Sequence, residues 1–532
     1  MSGHPRLTDE QKRFIEENYE KMSAKRMAKK LGLPRSAVQR YHKQLLSGAV
    51  PAVKEKGPCR LEKIFAKGKA KNLIWIAFFV ILLLSLSLRR YTFNLPHFRG
   101  DQHHYVALAF KLDTQGVNGY NLRGVDLYGN RQSPNIAVAA PAKDKGHILK
   151  SLEQGNITYY DQPFHHVPFG FPAAIMISHA LLAPGEPYYM LHIPNDMEVI
   201  RRSPPGVGLR YFRFDPDVAK KQFYSIIVPL SFSLLMIALV FFTARTLYEN
   251  DLVALVAMFL MAISPIDILT SQKLWSDDMT AALGLLAVFL YGLSLEKKKP
   301  LLAFLGGISC GISAITKQNG AFIVFVLILW HFTVNSGKLF KKETFLKTIF
   351  DKHLILFGLG ALLSAGYWFL KVTSVYGNPV YMPHQAKIGE VAKTDWFKTV
   401  GSRPKYLYLI GIPYQNPLFA LAYISPLWLW LDRKNSRNTL LCVIWIAVFL
   451  YIFQVYLGGG GKEHRYMLPA YPAFAILGGY IAVKLKDLID RHLGFKTGTA
   501  LLVIALIASM LWSLPMAYET LFYNGALIMK PF

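Results

Sequence analysis

The sequence predicts a mainly α, polytopic membrane protein. It should have about 11 helical spans, a mixed extracytoplasmic first loop and a small N-terminal three-helix domain. Three observations predict this. Of 532 residues, 52% are hydrophobic and only 17% charged, with a mean hydropathy of +0.26, whereas soluble domains carry about a quarter charged residues. From residue 222 onward, apolar runs near the length of a bilayer-crossing helix alternate with short polar loops. The first 71 residues are instead polar, with 18 Lys and Arg against 7 Asp and Glu.

Composition excludes several classes. Aromatic residues at 14% are too many for a disordered chain. Cys59, Cys310 and Cys442 lie too far apart for a disulfide framework or a cysteine zinc site. The first long apolar run begins near Leu73, so no secretory signal peptide is expected. The net charge of +27 need not mean nucleic acid, because cytoplasmic loops of membrane proteins concentrate Lys and Arg.

In chain order, residues 1–50 read as three short helices. Thr8 caps the first with Gln11 three residues on, Ser23 caps the second, and Pro34 or Arg35 opens the third. Ala28, Gly32, Val38 and Tyr41 have the spacing of a small residue, a turn glycine and core positions. This segment resembles small helix-turn-helix domains of the resolvase and sigma-factor-like kind over about 40 residues. The resemblance makes Arg35, Ser36, Gln39, Arg40 and Lys43 the groove-facing candidates. A basic bundle beside a membrane can equally bind anionic lipid. Residues 51–71 form a basic juxtamembrane linker, and 72–89 the first span. Residues 90–221 form an extracytoplasmic region in which the run Ala173–Leu182 is too short to cross and reads as an interfacial helix.

Residues 222–516 form the transmembrane bundle and 517–532 an extracytoplasmic tail. Its spans are read at 222–244, 249–267, 277–294, 301–316, 320–336, 353–371, 416–432, 439–457, 466–485 and 498–516. The 301–316 run carries Gly306, Gly307 and Gly311 and reads as a tilted or broken helix. With the basic N-terminus in the cytoplasm, alternate threading puts Lys297–Lys299, 338–352, Arg433–Arg437 and 484–496 on the inner side, each basic. This is a multi-pass protein of the inner or plasma membrane with its polar clusters outside.

Five outer clusters can carry chemistry. Arg99-Gly100-Asp101-Gln102-His103-His104-Tyr105 offers a carboxylate as general base, or a helix N-cap. Trp275-Ser276-Asp277-Asp278 starts a span, where the helix dipole alone favours acids; acids buried at a membrane mouth read as functional. Thr316-Lys317-Gln318-Asn319-Gly320 breaks two runs and offers a cation for phosphate, or a snorkelling lysine. Gly458–Gly461 and Lys462-Glu463-His464-Arg465-Tyr466 combine a glycine run with a guanidinium suited to phosphate, or an interfacial Arg–Tyr anchor. Gln162-Pro163-Phe164-His165-His166 precedes the interfacial helix. The histidine pairs His103, His104 and His165, His166 hint at a metal, but adjacent histidines rarely share one centre. No nucleotide-binding glycine signature is present.

Together these features resemble the GT-C superfamily of integral-membrane glycosyltransferases, over residues 72 to 485. The carriers are an acid soon after the first span, an interfacial helix preceded by His166-Val167-Pro168-Phe169-Gly170, and Ser264-Pro265 before Ser276-Asp277. Gly307 to Lys317 and Glu463-His464-Arg465-Tyr466 with Leu468-Pro469 resemble its protein O-mannosyltransferase and lipid A aminoarabinose transferase branch. The resemblance implies inverting transfer of a sugar from a polyprenyl-phosphate donor to an extracytoplasmic lipid, glycan or protein. It implies Asp101 as base, Asp277 or Asp278 as second acid, and Lys317, Arg465 and His464 as donor-phosphate contacts. The acceptor pocket would then involve His103, His104, His165, His166, Glu463 and Tyr466. Asp101 is followed by Gln102 where many members have a second acid. No cofactor is required by this chemistry, and a divalent metal is left open. The competing readings are a membrane-tethered DNA-binding regulator and a transporter. The concentration of acids and cations on one face disfavours both, since a transporter places polar groups near mid-membrane.

Overall fold

A computed structural model of the chain describes residues 24–34, 37–39, 69–90, 102–120, 167–186, 223–339, 341–379, 406–456, 463–493 and 495–523, with single positions between 11 and 41 and at 188. The chain divides into two compact units, residues 1–75 and 76–532.

In the first unit, helix α1 (Ala24–Leu31) is flanked by helical positions at Ile15 and at Val38. Ile15, Met27, Ala28, Val38 and Tyr41 close one apolar core, with Phe14, Leu31 and Leu33 against it. Gly32 sits at φ +64, a conformation glycine adopts at little cost, and the Leu33 N–H reaches back to the Ala28 carbonyl at 3.0 Å. Arg26, Lys29 and Lys30 are exposed on α1, and so is Gln39. Arg35, Ser36, Arg40 and Lys43 lie outside the described residues.

The second unit is a helical bundle; no strand occurs among the described residues. Its helices are α2 (Lys69–Leu88, in this unit from Ile76), α3 (Gln102–Gln115), α4 (Gly170–Leu182), α5 (Phe223–Tyr248), α6 (Asp251–Ala262), α7 (Pro265–Thr270), α8 (Asp277–Lys297) and α9 (Pro300–Thr316). After these come α10 (Phe322–Val334), α11 (Lys342–Ile349), α12 (Lys352–Tyr376), α13 (Leu407–Gln415), α14 (Ser436–Leu450), α15 (Tyr471–Leu493) and α16 (Phe495–Tyr523). Helical stretches at 223–248, 277–297, 343–376, 436–455, 464–493 and 496–518 are long and apolar enough to cross a membrane. Shorter apolar helices cover 72–88, 170–182, 251–262, 300–316, 318–334 and 417–431. Every predicted span therefore coincides with helix. The described parts of 90–221 are helical as well.

Four boundaries differ from expectation, each for a local reason. The 249–267 run breaks at Ser264, and Pro265 opens the separate helix α7. The 416–432 run is four short 3-10 and α pieces between Pro417 and Leu431, since Pro417 and Pro426 donate no backbone hydrogen bond. The final helix continues past 516 to Tyr523 into the expected tail. The glycine-rich 301–316 run is neither broken nor irregular: α9 is continuous from Pro300 to Thr316. Its glycines instead admit α12. A Cβ on Gly307 would lie 2.0 Å from the Phe357 carbonyl oxygen, and one on Gly360 2.2 Å from that of Phe304. Small residues of this kind let membrane helices approach closely.

Helix α4, where an interfacial helix is expected, begins at Gly170. It buries Phe171, Ile175 and His179 and exposes Ile177, Leu181 and Leu182.

The loops predicted on one side of the membrane meet at one end of the bundle. There Asn438 donates to the Leu247 carbonyl at 2.5 Å, Trp330 Nε1 donates to the Arg437 carbonyl at 3.1 Å, and Lys484 pairs with Asp432 at 2.7 Å. Burial pushes the Asp432 carboxyl up. Hydrogen bonds from Lys484, Asn435 and Tyr480 outweigh it and hold the group well below the usual carboxylate range.

Two outcomes are expected. Gly307→Val should destabilise the bundle by about 1–3 kcal/mol through overpacking, read as a lowered unfolding midpoint in detergent. Because the Asp432 pKa is depressed on folding, its contribution is complete above the unfolded value near pH ~4 and fades only below it. Asp432→Asn should therefore lower the midpoint at neutral pH, and the deficit should shrink only under strong acid.

Candidate active site

The opposite end of α8 gathers the acids and cations. Asp277 and Asp278 open α8, where the helix dipole favours carboxylates. Both are buried, Asp277 at 1% exposure and Asp278 at 0%. Successive helical residues point about 100° apart, so the two acids face different partners.

Asp277 faces the cations. Its Oδ1 pairs with Lys317 Nζ at 2.5 Å, and its Oδ2 lies 3.8 Å from an Arg465 guanidinium nitrogen. Lys317 caps the C-terminus of α9 in extended conformation, and a 3-10 turn from Gln318 to Ala321 leads into α10. Glu463 accepts from Arg465 Nε and precedes the buried 3-10 segment His464–Ala470. Aromatic rings hold both cations from their other sides. Arg465 stacks over Trp275 at 4.3 Å and over Tyr466 at 5.3 Å, and Lys317 lies 4.6 Å from the Tyr466 centroid. Asn319 donates to the Tyr466 carbonyl at 3.1 Å and ties the two loops. Two carboxylates thus balance two cations in a largely dehydrated cluster. Arg465 is buried, whereas the Lys317 and Glu463 side chains remain partly exposed.

Asp278 turns the other way. It accepts from Thr270 Oγ1 at 2.9 Å and lies against the Asp267 carboxyl. Asp267 pairs with Arg89, and both are fully buried. His464 is also buried, packed on α13 so closely that a Cβ on Gly411 would lie 2.1 Å from its ring.

Asp101, His165, His166 and Gly458–Lys462 lie outside the described residues. His103 and His104 belong to α3, and their side chains lie outside the described set too. Tyr105, four residues beyond Asp101 in the chain, bonds Ser276 Oγ at 3.1 Å and meets Phe171 edge to face at 4.9 Å. That contact ties α3 and α4 to the Asp277 turn. Among the described residues, no group of three or more His, Cys, Asp or Glu is placed to hold a metal.

The structure therefore brings together Asp277, Lys317, Glu463, Arg465 and Tyr466, and sets Asp278 and His464 apart. Reasoning from sequence missed Arg89, Asp267 and Tyr105 as parts of this end. The available signals were an acid two residues after Ser264-Pro265 and an arginine pair closing the first span.

The helical bundle is similar in fold to a solved archaeal oligosaccharyltransferase. Residues 223–381, which carry Asp267, Asp277 and Lys317, match the family described as dolichyl-phosphate-mannose-protein mannosyltransferase. The apo oligosaccharyltransferase of Archaeoglobus fulgidus is similar with a TM-score of 0.50 and 13% identity, over 85% of this chain and 56% of that one. The AglB oligosaccharyltransferase of the same organism, in complex with an inhibitory peptide and a dolichol-phosphate, is similar with a TM-score of 0.50 and 12% identity, over 86% of this chain and 57% of that one. ArnT from Cupriavidus metallidurans gives a TM-score of 0.45 and 12% identity, over 85% of this chain and 75% of that one. The chain thus spans little more than half the length of the oligosaccharyltransferase. No curated protein matches the sequence.

Lys317→Met should destabilise the protein by about 2 kcal/mol, because it removes the nearer of the two counter-charges of buried Asp277. Pairing it with Asp277→Asn should recover most of that loss, as thermal unfolding of the purified single and double variants would show.

Proposed function

We propose that the chain is a membrane glycosyltransferase that takes a sugar from a polyprenyl-phosphate donor and passes it to an extracytoplasmic lipid, glycan or protein. The observation that carries this reading is the Asp277–Lys317–Arg465 cluster with its aromatic walls, at the mouth of a GT-C bundle. The family match and the dolichol-phosphate held by the similar AglB support the donor class.

In this reading the acceptor hydroxyl attacks the anomeric carbon as the bond from that carbon to the phosphate oxygen breaks. Configuration inverts. Lys317 and Arg465 stabilise the charge that develops on the departing lipid phosphate. Asp101 takes the acceptor proton. Asp277 sits between the two cations and offsets their mutual repulsion while the site is empty. His103, His104, His165, His166, Glu463 and Tyr466 would line the acceptor side, with His464 behind the phosphate. No cofactor is invoked in this reading, and divalent metal enters as a variable of the assay.

The basic loops support a cytoplasmic Asp432 end of the bundle. The first unit would be a cytoplasmic module with an anionic partner, nucleic acid or anionic lipid, met by exposed Arg26, Lys29, Lys30 and Gln39.

Incubation of purified protein with a panel of polyprenyl-phosphate sugars, following release of the lipid phosphate, tests the reading. Lys317→Gln or Arg465→Gln should each cost about a hundredfold in kcat/KM for the donor, Asp101→Asn should abolish transfer with folding intact, and EDTA should leave the rate unchanged. Uptake of a free solute into vesicles without glycosylated product would refute it.

A further inference from the structure

We propose that Arg89 is a positioning residue that aims Asp277 at its cations, acting through Asp267 and Asp278. The proposal rests on the transferase reading above. Arg89 directly follows α2 and is wholly buried. An arginine at a helix end ordinarily snorkels to water. This one is enclosed: Nε donates to Ser233 Oγ at 2.9 Å, and Nη1 donates to the Ser85 carbonyl at 2.9 Å, Ser85 Oγ at 2.7 Å and the Ala262 carbonyl at 3.2 Å. Nη2 pairs with Asp267 Oδ2, and Ser233 donates to the other Asp267 oxygen at 2.9 Å. One guanidinium thus joins α2, α5, the end of α6 and the short helix α7.

The chain of contacts continues from α7 into the site. Thr270, at the C-terminus of α7, donates to Asp278 Oδ1 at 2.9 Å, and Asp278 lies against Asp267. Asp278 and Asp277 share the first turn of α8. A rotation of that turn moves both carboxylates at once. Fixing Asp278 against α7 therefore fixes the direction of Asp277 toward Lys317 and Arg465. A buried ion pair contributes little net stability compared with an apolar pair of similar size, so aim, more than stability, accounts for this one.

Variants separate aim from stability. Thr270→Val keeps the shape and deletes the hydroxyl that holds Asp278; Thr270→Ser keeps the hydroxyl. Arg89→Met combined with Asp267→Leu replaces the ion pair by apolar groups. The full-length chain in detergent is assayed for donor turnover, acceptor KM and unfolding midpoint. Thr270→Val should lose about tenfold in donor kcat/KM and the double variant about a hundredfold, with acceptor KM and midpoint near the parent's, and Thr270→Ser should restore the parent rate. Parent rates in Thr270→Val and the double variant overturn the proposal while leaving the transferase reading intact, as does a Thr270→Ser as slow as Thr270→Val. Should the double variant fail to fold, Arg89→Lys, which keeps the charge and gives up the fork, is assayed in its place, and a parent rate there overturns the proposal. A parent that turns over none of the donors overturns the transferase reading and this inference with it.

Discussion

One buried carboxylate, Asp277, shared between Lys317 and Arg465, is the interaction on which the rest of the site depends. Without it, two cations would face each other in a dehydrated end of the bundle. Without them, an acid at 1% exposure would lack any counter-charge. The three groups come from three places in the chain: the start of α8, the end of α9 and the segment before α15. Their meeting defines one end of the molecule. Trp275 and Tyr466 complete it by covering the cation faces that water would otherwise reach.

The two ends of the bundle differ in how their charges are paired. At the far end Asp432, Lys484, Asn435 and Tyr480 satisfy one another, and Tyr248 stacks on Tyr480 with ring centroids 4.0 Å apart. Between the ends, Gly307 and Gly360 bring α9 and α12 together, and Gly306 brings α9 against Ala287 and Tyr291 of α8. The break at Ser264-Pro265 lets α7 leave the span direction and carry Asp267 to Arg89. An uninterrupted helix through 249–267 could not present both its apolar face and that acid.

Much of this was legible in the sequence because hydropathy and charge act over long windows. Each apolar run became helix, and the loops expected on one side met at one end. Local geometry was less legible. Asp277 and Asp278 were indistinguishable as neighbours; only the helical rotation between them separates the acid facing Lys317 from the one facing Thr270. The Gly306–Gly311 run read as a break because glycine is usually counted for its backbone freedom, whereas here its missing Cβ is what matters. Arg89 was invisible because an arginine closing a span resembles every other flanking charge. Gly32 was readable in advance as the turn glycine of the helix-turn-helix spacing, and it sits at φ +64. Asp101, His165, His166 and Gly458–Lys462 fall outside the described residues.

The central claim is that Lys317 and Arg465 form the seat of a lipid phosphate. The direct measurement is the affinity of the purified full chain for polyprenyl phosphate without a sugar, compared with that of a variant carrying both Lys317→Gln and Arg465→Gln. The account predicts saturable binding by the parent and none by the variant at the same lipid concentrations. Equal binding by the two proteins would contradict it.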